Sequence, residues 1–559
     1  MQLNFIDRAL QAVAPARALA RAKARVQLQA LSGMASALAD VQGGGFDVSA
    51  DAGDGSGSPG SGSSPSAGRR WSPRASDAKS DTLRFLPTQR GQSRELARTS
   101  PIAVGAINTN VDRVVGTGLA LSCQPDRDML GWTEEKAAAW KKTTQAEFSL
   151  WSDSAESDIC NTLNFYEQQA LVLRSALESG DCFTNLPNGQ PTASQPYSLR
   201  LQVIEADRVG NEFGMIDGKD GISGGIKFDP NGRPLACFVY DQHPGAMLQV
   251  LAGASLYQGQ FVDFVGASGR RRILHHLRKL RPDQPRGVPY LAPITNLIKQ
   301  LKRLSDAEVE AAVISAFFTV FIEGAPGGNP APIFSGAEGA DTVGDDIKLG
   351  QGAVVGLMAG EKATVANPAR PNPNLDAFIT SMLREVGMAL GIPQELLSKQ
   401  FNASYSASKA ALLDAWVYFR NVRTWLARSF CQPVYETWLS EAVATGRIAA
   451  PGFFTDPLMR WAYTRASWHG DSMGSINPKD EVAAYTSAID ARLMTRERAV
   501  WELFGTDFTA DFPQMRREHS QLLEADMLPV PKAGAAAPQS AAKPSAEPAK
   551  PEPDTGNQP

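Results

Sequence analysis

The chain has 559 residues, of which 43% are hydrophobic and 20% charged, a composition typical of a large folded protein with roughly three or four domains. Its net charge of -4 excludes the concentrated positive charge of a tight nucleic-acid-binding protein, so any DNA contact should be weak or local. Its 5 cysteines never form a C-x-x-C pair, which argues against both a disulfide framework and a zinc cluster.

The two ends differ in composition from the rest of the chain. Residues 1–42 form a basic N-terminal arm that lacks the apolar core of a secretory signal, and we interpret it either as an amphipathic contact with a membrane or partner or as a plain solvated helix. Residues 43–93 are largely a Gly/Ser-rich linker, and residues 529–559 form a tail of Pro, Ala, Lys and Glu. Neither holds enough apolar side chains to offset the entropy of ordering it, so the tail and most of the linker are predicted to be disordered.

The first half of the chain predicts helices followed by a small sheet. A helix capped by Ser100 ends at Gly116, and a second helix covers about 156–179. The segment LRLQV, residues 199–203, alternates as a strand does. Two further strand segments, GIKFD and RPLACFVY, flank the Pro-Asn-Gly turn at 230–232, which is typical of a hairpin.

The second half is predicted to be mainly helical. An apolar helix runs to Ile322, and its hydrophobic stretch is too short to cross a bilayer. An irregular Gly/Pro-rich insert separates it from an amphipathic helix over 374–391. The longest helical run covers 406–446, with a kink expected at Pro433, and further helices follow over 447–528.

Motifs for catalysis and metal binding are incomplete. Residues 55–60 spell G-x-G-x-x-G, but they lie in the linker without the strand and helix that dinucleotide binding needs. Residues 221–225 spell G-x-S-x-G, yet turn residues flank them on both sides. His275 and His276 are adjacent and would point to opposite faces of a strand, so they cannot easily share a metal. The sequence therefore predicts no catalytic residue, no metal site and no cofactor.

A charged segment lies between Gly269 and Gly287. Either nucleic acid or an acidic partner docks there, or the charges guard a solvated strand edge against aggregation while Ile273 and Leu274 pack inward. The basic cluster consists of Arg270, Arg271, Arg272, Arg278, Lys279 and Arg281, with Arg286 following them.

Six segments, in order between about 94 and 525, carry a family resemblance. They are RELARTSPIAVGAINTNVDRVVGTGL, NFYEQQALVLRSALESGD, LRLQVIEADRV, RPDQPRGVPYLAPI, MALGIPQELLSKQFNASYSASKAALLDAW and INPKDEVAAY. Together they resemble the lambda-type portal, or head-tail connector, family of tailed bacteriophages. The resemblance implies an α+β portal-type fold and a homo-oligomeric ring, usually of twelve subunits, at one capsid vertex. It also implies no enzymatic activity.

The resemblance also divides the chain into regions around a central channel. The mixed α/β wing is residues 94–290, the helical stem is 291–322 and 374–391, the clip insert is 323–373, the tunnel loop is 392–405, the long kinked helix is 406–446, and the helical C-terminal crown is 447–528. The tunnel loop faces DNA in this family, and the polar content of Ser398–Ser406 suits a sliding contact. In the alternative interpretation, the aromatic residues simply anchor a loop. The candidate DNA-facing residues are Lys399, Gln400, Phe401, Asn402, Ser404 and Tyr405.

The partners implied by the resemblance are other copies of the chain, the large terminase subunit, the major capsid and scaffold proteins, the head-tail joining proteins, and double-stranded DNA bound without sequence specificity. The implied location is the capsid vertex of the virion, after assembly in the host cytoplasm. Two other classes stay open: another phage structural or scaffold protein, and a hydrolase, for which the sequence offers only residues 221–225.

Overall fold

The computed structural model describes residues 76–212, 215–246, 258–316, 320–323, 362–365, 375–401, 404–474, 477–506, 508–525 and 527. The N-terminal arm, most of the linker, most of the predicted clip and the C-terminal tail lie outside these ranges. Residues Ala78–Pro559 form one compact unit, whose described part contains all the elements named below.

Helices make up most of the described part of this unit. In chain order they are α1 (Ala78–Thr99), α2 (Pro101–Val114), α3 (Arg127–Leu130), α4 (Glu134–Ser152), α5 (Phe165–Ser179), α6 (Thr295–Ala316), α7 (Leu375–Leu390), α8 (Gln394–Ser398), α9 (Tyr405–Leu426), α10 (Gln432–Ala444), α11 (Pro457–Thr464), α12 (Pro478–Asp490), α13 (Arg496–Phe504) and α14 (Phe508–Glu524). None of the helices in the described ranges is long and apolar enough to cross a membrane.

The strands form small antiparallel sheets. They are β1 (Ala120–Cys123), β2 (Asp181–Asn185), β3 (Gln202–Ile204), β4 (Ile222–Ser223), β5 (Ile226–Phe228), β6 (Pro234–Tyr240), β7 (Gly259–Asp263), β8 (Ile273–Leu277), β9 (Val320–Glu323), β10 (Lys362–Val365) and β11 (Ala466–His469). One sheet has the order β3-β2-β8 and another the order β4-β5-β6-β7, while β1 pairs with β11 and β9 with β10. Helix and sheet in one unit confirm the predicted α+β class.

The main core joins the N-terminal helices to the C-terminal half of the long helix. Phe148 on α4 meets Trp438 on α10 edge-on, with ring centroids 5.0 Å apart, and Phe165 stacks on Phe430 at 5.4 Å. All four side chains are buried. Aromatic pairs in these geometries add attraction to the burial of their large apolar surfaces, so α10 is fixed in the centre of the unit.

Several predicted elements are confirmed. Ser100 caps α2, its hydroxyl accepting a hydrogen bond from the backbone N–H of Ala103 at 3.4 Å. The hairpin around residues 230–232 joins β5 to β6, and Gly232 takes the left-handed conformation that the turn requires, with φ 80°. The predicted strand at 199–203 is shorter than expected, because Leu199 and Leu201 make only isolated bridges before β3 begins.

The predicted start of the second helix near residue 156 is wrong. The helix is α5, which begins at Phe165, because Asn164 and Glu167 form a capping box in which each side chain accepts a hydrogen bond from the other residue's backbone N–H. Before it, the Asp158 carboxylate accepts hydrogen bonds from the loop that follows, which favours a turn over a helix.

The predicted helix running to Ile322 is also wrong at its end. The helix α6 ends at Ala316, and residues Val320–Glu323 form β9, which pairs with β10. Apolar stretches rich in β-branched and aromatic residues fit a strand as well as a helix, and a partner strand decides between them. Here that partner lies about forty positions later in the chain, out of reach of a local pattern.

The long helical run is interrupted rather than continuous. Helix α9 is capped by Ser404, passes into a π-helical turn at Ala427–Cys431, and continues as α10 to Ala444. The turn lies directly before Pro433, which has no N–H to donate to the preceding turn of the helix. The irregularity is therefore found next to the proline at which the sequence predicts a kink.

Candidate functional site

A buried carboxylate organises the sheet that carries the charged segment. Asp181 opens β2 and is fully buried. Its Oδ2 accepts hydrogen bonds from Arg286 Nε at 2.7 Å and from the backbone N–H of Gly287 at 3.0 Å, and it lies 3.0 Å from His275 Nε2. Its Oδ1 accepts a hydrogen bond from Arg90 Nη2 at 2.7 Å. We call these four side chains (Arg90, Asp181, His275 and Arg286) the Asp181 cluster.

Arg286 is the most connected member of this cluster. Besides Asp181, its guanidinium donates to the carbonyl oxygens of Ala206 at 2.6 Å, Val209 at 2.7 Å and Gly224 at 2.8 Å. It also lies over the ring of Phe183, 5.1 Å from the centroid. Its side chain is 2% exposed, so it holds three segments of the chain together and is not available to nucleic acid.

The six residues of the basic cluster do not form one patch. Arg270–Arg272 precede β8 and Arg278–Arg281 follow it, so they lie at opposite ends of a five-residue strand, roughly 17 Å apart at about 3.3 Å per residue. Arg270 donates to Asn188 Oδ1, and Arg281 forms an ion pair with Asp81. The intervening β8 is an edge strand, a position where flanking cations protect against strand addition.

His275 and His276 on β8 lie on opposite faces of the sheet. His275 stacks on Phe183 with centroids 4.3 Å apart and contacts Asp181, whereas Nε2 of His276 lies 2.8 Å from Thr184 Oγ1. Burial and the neighbouring His275 lower the pKa of His276 to about 3, so its imidazole is neutral at physiological pH. This arrangement agrees with the prediction that the adjacent pair cannot share a metal.

The predicted tunnel loop, residues 392–405, contains the short helix α8. The helix ends at Ser398 and is followed by Lys399, whose backbone is left-handed with φ 52°. Lys399 and Gln400 are exposed, and Phe401 is 50% exposed, so the aromatic ring is not a buried anchor within the subunit. Ser404 caps α9, while Asn402 and the side chain of Tyr405 lie outside the described part of the chain.

Residues 221–225 form a turn, in agreement with the turn residues that flank them, although Ser223 and Gly225 are buried and the turn is not a surface loop. Gly224 and Gly225, with φ 58° and 81°, join β4 to β5, and the backbone N–H of Gly225 donates to Asn211 Oδ1 at 2.7 Å. A nucleophile elbow needs a strand that leads into a helix, and this tight hairpin offers none.

A groove of about 780 Å³ lies between α9 and the helices α12 and α13. Its walls are already paired: Lys409 Nζ lies 3.1 Å from Glu481 Oε1, and Arg423 donates to the carbonyl oxygen of Asp471 at 3.1 Å. His469 packs edge-on against Trp501 with ring centroids 3.8 Å apart. These contacts make the groove a seam that joins the long helix to the C-terminal helices.

One acidic cluster among the described residues has the residue types of a metal site. It consists of Glu205, Asp207 and His243. However, Arg94 pairs with both carboxylates and Arg90 with Asp207, at 2.9 Å for Arg94–Glu205 and 3.0 Å for Arg90–Asp207. These two guanidiniums supply the positive charge that a cation would otherwise bring, so the cluster is satisfied by ion pairing.

Sequence reasoning did not single out Asp181 or Arg90. Both are charged residues in ordinary local contexts. Arg90 lies 91 positions before Asp181, and Arg286 lies 105 positions after it. The sequence places Arg286 in a charge run and gives no sign of its burial. A signal was present at Gly180 and Gly287, because glycines often mark a close approach of two backbones, but one sequence does not show which glycines meet.

Comparison with known proteins identifies the family. Residues 64–423 match the model of the phage portal protein, lambda family. The chain belongs to this family. The match covers the described part of the chain from α1 through α8 and α9 almost to its end.

Two curated relatives extend the similarity beyond the family model. The portal protein of Escherichia phage N15 is 24% identical over 496 residues, which is 84% of this chain and 90% of the relative. Portal protein B of Escherichia phage lambda is 24% identical over 495 residues, with the same coverage. Portal proteins of this family are structural rather than enzymatic, so the hydrolase alternative is set aside.

Chains in two solved particle structures also align. One is the neck of an empty GTA particle computed with C6 symmetry, at a TM-score of 0.42 and 13% identity, covering 78% of this chain and 94% of that chain. The other is the neck of a native GTA particle computed with C12 symmetry, at a TM-score of 0.37 and 13% identity, covering 75% and 92%.

Proposed function

We propose that copies of this chain, usually twelve, form the portal ring at one capsid vertex, through which DNA enters during packaging and leaves during ejection. The observation that carries the proposal is the match of residues 64–423 to the lambda family of portal proteins. The ring has no catalytic role. It serves as a conduit and as a docking platform for the packaging and tail machinery.

The regional assignment is part of this proposal. Residues 94–290 form the wing, α6 and α7 the paired stem helices, 323–373 the clip, and 447–528 the crown. The docking partners are the large terminase subunit, the major capsid and scaffold proteins, and the head-tail joining proteins. We place the assembled ring in the virion, after assembly in the host cytoplasm.

The loop between α8 and α9 is the proposed DNA-facing element. Its support is chemical: Lys399 and Gln400 are exposed, Phe401 is half exposed, and the loop is held at both ends by helices. A single cation per subunit attracts DNA without making enough phosphate contacts to hold it fast. The separated halves of the basic cluster are a weaker candidate, since they do not converge on one surface.

Loop substitutions test this assignment. Replacing Lys399, Gln400 and Asn402 with alanine should leave the ring intact, because exposed loop changes alter stability by only about 0.5 kcal/mol. DNA packaged per particle should fall. The matched control is Arg492→Ala, which removes another exposed cation with a left-handed backbone, φ 58°, from the loop that follows α12.

The outcomes separate the alternatives. Normal packaging by the loop variant would remove the loop from the DNA path, whereas equal losses in the loop and control variants would point to a general charge effect. Negative-stain images and native mass spectra of the wild-type chain should show closed rings at micromolar concentration. A folded chain that stays monomeric there would contradict the portal assignment and favour a scaffold or other structural role.

A further inference from the structure

The C-terminal helices α12, α13 and α14 lack a core of their own. Among the described side chains from residue 477 to residue 525, Ala499 alone is buried. The last helix is the extreme case, since every described side chain from Phe512 to Ala525 is exposed. In proteins, most of the stability of a helix comes from the packing of its apolar face. Contacts outside the described subunit are therefore expected to stabilise α14.

The apolar side chains of α14 lie in one stripe. Phe508, Phe512, Met515 and Leu522 follow steps of four, three and seven residues, the spacing of the core positions of a coiled coil. Phe512 is 53% exposed, Met515 45% and Leu522 40%, while Leu523 beside the stripe is 59% exposed. A stripe with this period packs against another helix that runs nearly along it.

The charged residues beside the stripe indicate which helix packs against it. Asp511 lies on one flank and Arg516 on the other, and side chains five residues apart are roughly 140° apart around a helix, so they cannot pair with each other. In two parallel helices in register, these two flanking positions are the ones that meet across the stripe. Neither side chain has an ion pair within the described part of the subunit.

A ring of identical subunits supplies this geometry. Rotation about the ring axis keeps equivalent residues at the same height and keeps helices that run along that axis parallel, so Asp511 of one copy lies about 7.5 Å along the helix from the level of Arg516 of the next, within reach of two long side chains across the contact. The chain's own C-terminal tail is a poor substitute, because residues 528–559 contain only Leu528 and Val530 as large apolar side chains.

We propose that α14 is a self-association element, in which the stripe Phe508–Leu522 of each copy packs in parallel and in register against α14 of the neighbouring copy. This inference rests on the proposed ring and assigns one of its contact surfaces. The contact buries side chains that the single subunit leaves in water, and the pairing of Asp511 with Arg516 of the neighbouring copy fixes its register.

Substitutions on the two faces of α14 test the contact in the full-length chain. The stripe variant carries Phe512→Gln, Met515→Gln and Leu522→Gln, and the control carries Gln514→Ala, Arg517→Ala and Gln521→Ala on the opposite face. All six side chains are exposed in the subunit, so circular dichroism should be unchanged. The concentration at which half the chains are in rings should rise at least about tenfold for the stripe variant and less than about twofold for the control.

Charge reversal and cross-linking identify the helix that packs against the stripe. Asp511→Arg and Arg516→Asp should each raise the half-assembly concentration, and the double variant should restore it. With Cys160→Ser to remove the exposed native thiol, the pair Asp511→Cys and Arg516→Cys should give a ladder of cross-linked multimers on denaturing gels after mild oxidation. Failure of the double variant to restore assembly, or absence of the ladder, would overturn the inference.

The controls also separate this inference from the portal function. Rings that form equally well with the stripe variant would overturn the contact while leaving the portal assignment in place. If deletion of residues 1–42 reproduces the stripe variant's loss, the N-terminal arm and not a second copy covers α14, and the inference fails. A wild-type chain that never forms rings would overturn both proposals together.

Discussion

The Asp181 cluster is the feature of single residues with the largest energetic consequence. Burial alone would raise the pKa of Asp181, but the guanidiniums of Arg286 and Arg90 outweigh it and hold the pKa well below its usual range. Burial and the neighbouring Arg286 lower the pKa of Arg90 to about 10, which still leaves it charged at neutral pH. Asp181 and Arg90 are therefore both charged at neutral pH, inside a buried and hydrogen-bonded cluster.

Replacing Asp181 with asparagine should destabilise the protein by about 3 to 5 kcal/mol, because the buried guanidinium of Arg286 would lose its counter-ion and that of Arg90 would keep only Asp207. The matched control is Asp81→Asn, which breaks the exposed pair with Arg281 and should cost less than about 1 kcal/mol. Urea unfolding of both variants measures the difference. Equal and small costs would show that the cluster does not stabilise the protein.

The same cluster should make stability depend on pH. The pKa of Asp181 is lowered by folding, so its contribution is present above the unfolded pKa of about 3.9 and is lost as pH falls toward the folded value. Burial lowers the pKa of His275, although Asp181 opposes this, so protonation of His275 in acid also works against the fold. The stability gap between the wild type and Asp181→Asn should be constant above about pH 6.5 and shrink below about pH 4. A gap that widens in acid would contradict the assignment.

At the scale of elements, two glycines let the end of α5 meet the segment after Arg286. Gly180 follows α5 with φ 90°, and a methyl group added to Gly287 would lie 1.9 Å from the carbonyl oxygen of Gly180. The atoms nearest to the added methyl group all belong to the backbone, so no flexible side chain could move aside to relieve the clash. The contact also places the Gly287 N–H against Asp181, so the helix end and the buried cluster depend on the same two positions.

Gly287→Ala should therefore cost about 3 kcal/mol or more in unfolding free energy. The control is Gly105→Ala inside α2, where no atom lies within 4 Å of the added methyl group. That change should stabilise the protein by about 0.5 to 1 kcal/mol, because alanine loses less backbone freedom than glycine on entering a helix. Similar effects at both positions would show that the approach of the two backbones is not constrained.

At the scale of the whole molecule, the charge of the chain favours a channel through which DNA slides, rather than a surface that binds DNA tightly. The net charge is -4, and the exposed cations of the basic cluster are divided between the two ends of β8. We expect the assembled protein to bind duplex DNA no more tightly than about 10⁻⁴ to 10⁻⁶ M at physiological salt.

A salt titration of DNA binding tests this expectation. Replacing Arg271 and Arg272 with alanine should change the slope of log affinity against log salt by less than about 1, because neither end of β8 is expected to make several phosphate contacts. The matched variant replaces Arg278 and Lys279 at the other end of the strand. A slope that falls by about 2 in either variant would show that the substituted end of β8 makes about two phosphate contacts with DNA.

Much of the fold could be predicted from the sequence because it depends on local interactions. The Ser100 cap, the hairpin around residues 230–232 and the helix over 374–391 depend on residues a few positions apart, so their patterns were sufficient. The portal family was also evident from segments spread along the chain. The role of the loop at Ser398–Ser406 stays a prediction, since it concerns a channel that several copies build together.

The tertiary structure decided what depends on partners far apart in the chain. Val320–Glu323 is a strand because β10 pairs with it, and Arg286 is a buried structural cation because Asp181 lies beside it. The sequence grouped that arginine with an exposed basic run, since a charge is normally solvated unless a counter-ion reaches it. Burial of a charge is settled by whether distant segments bring its partner within hydrogen-bonding distance, and no local pattern of residues contains that information.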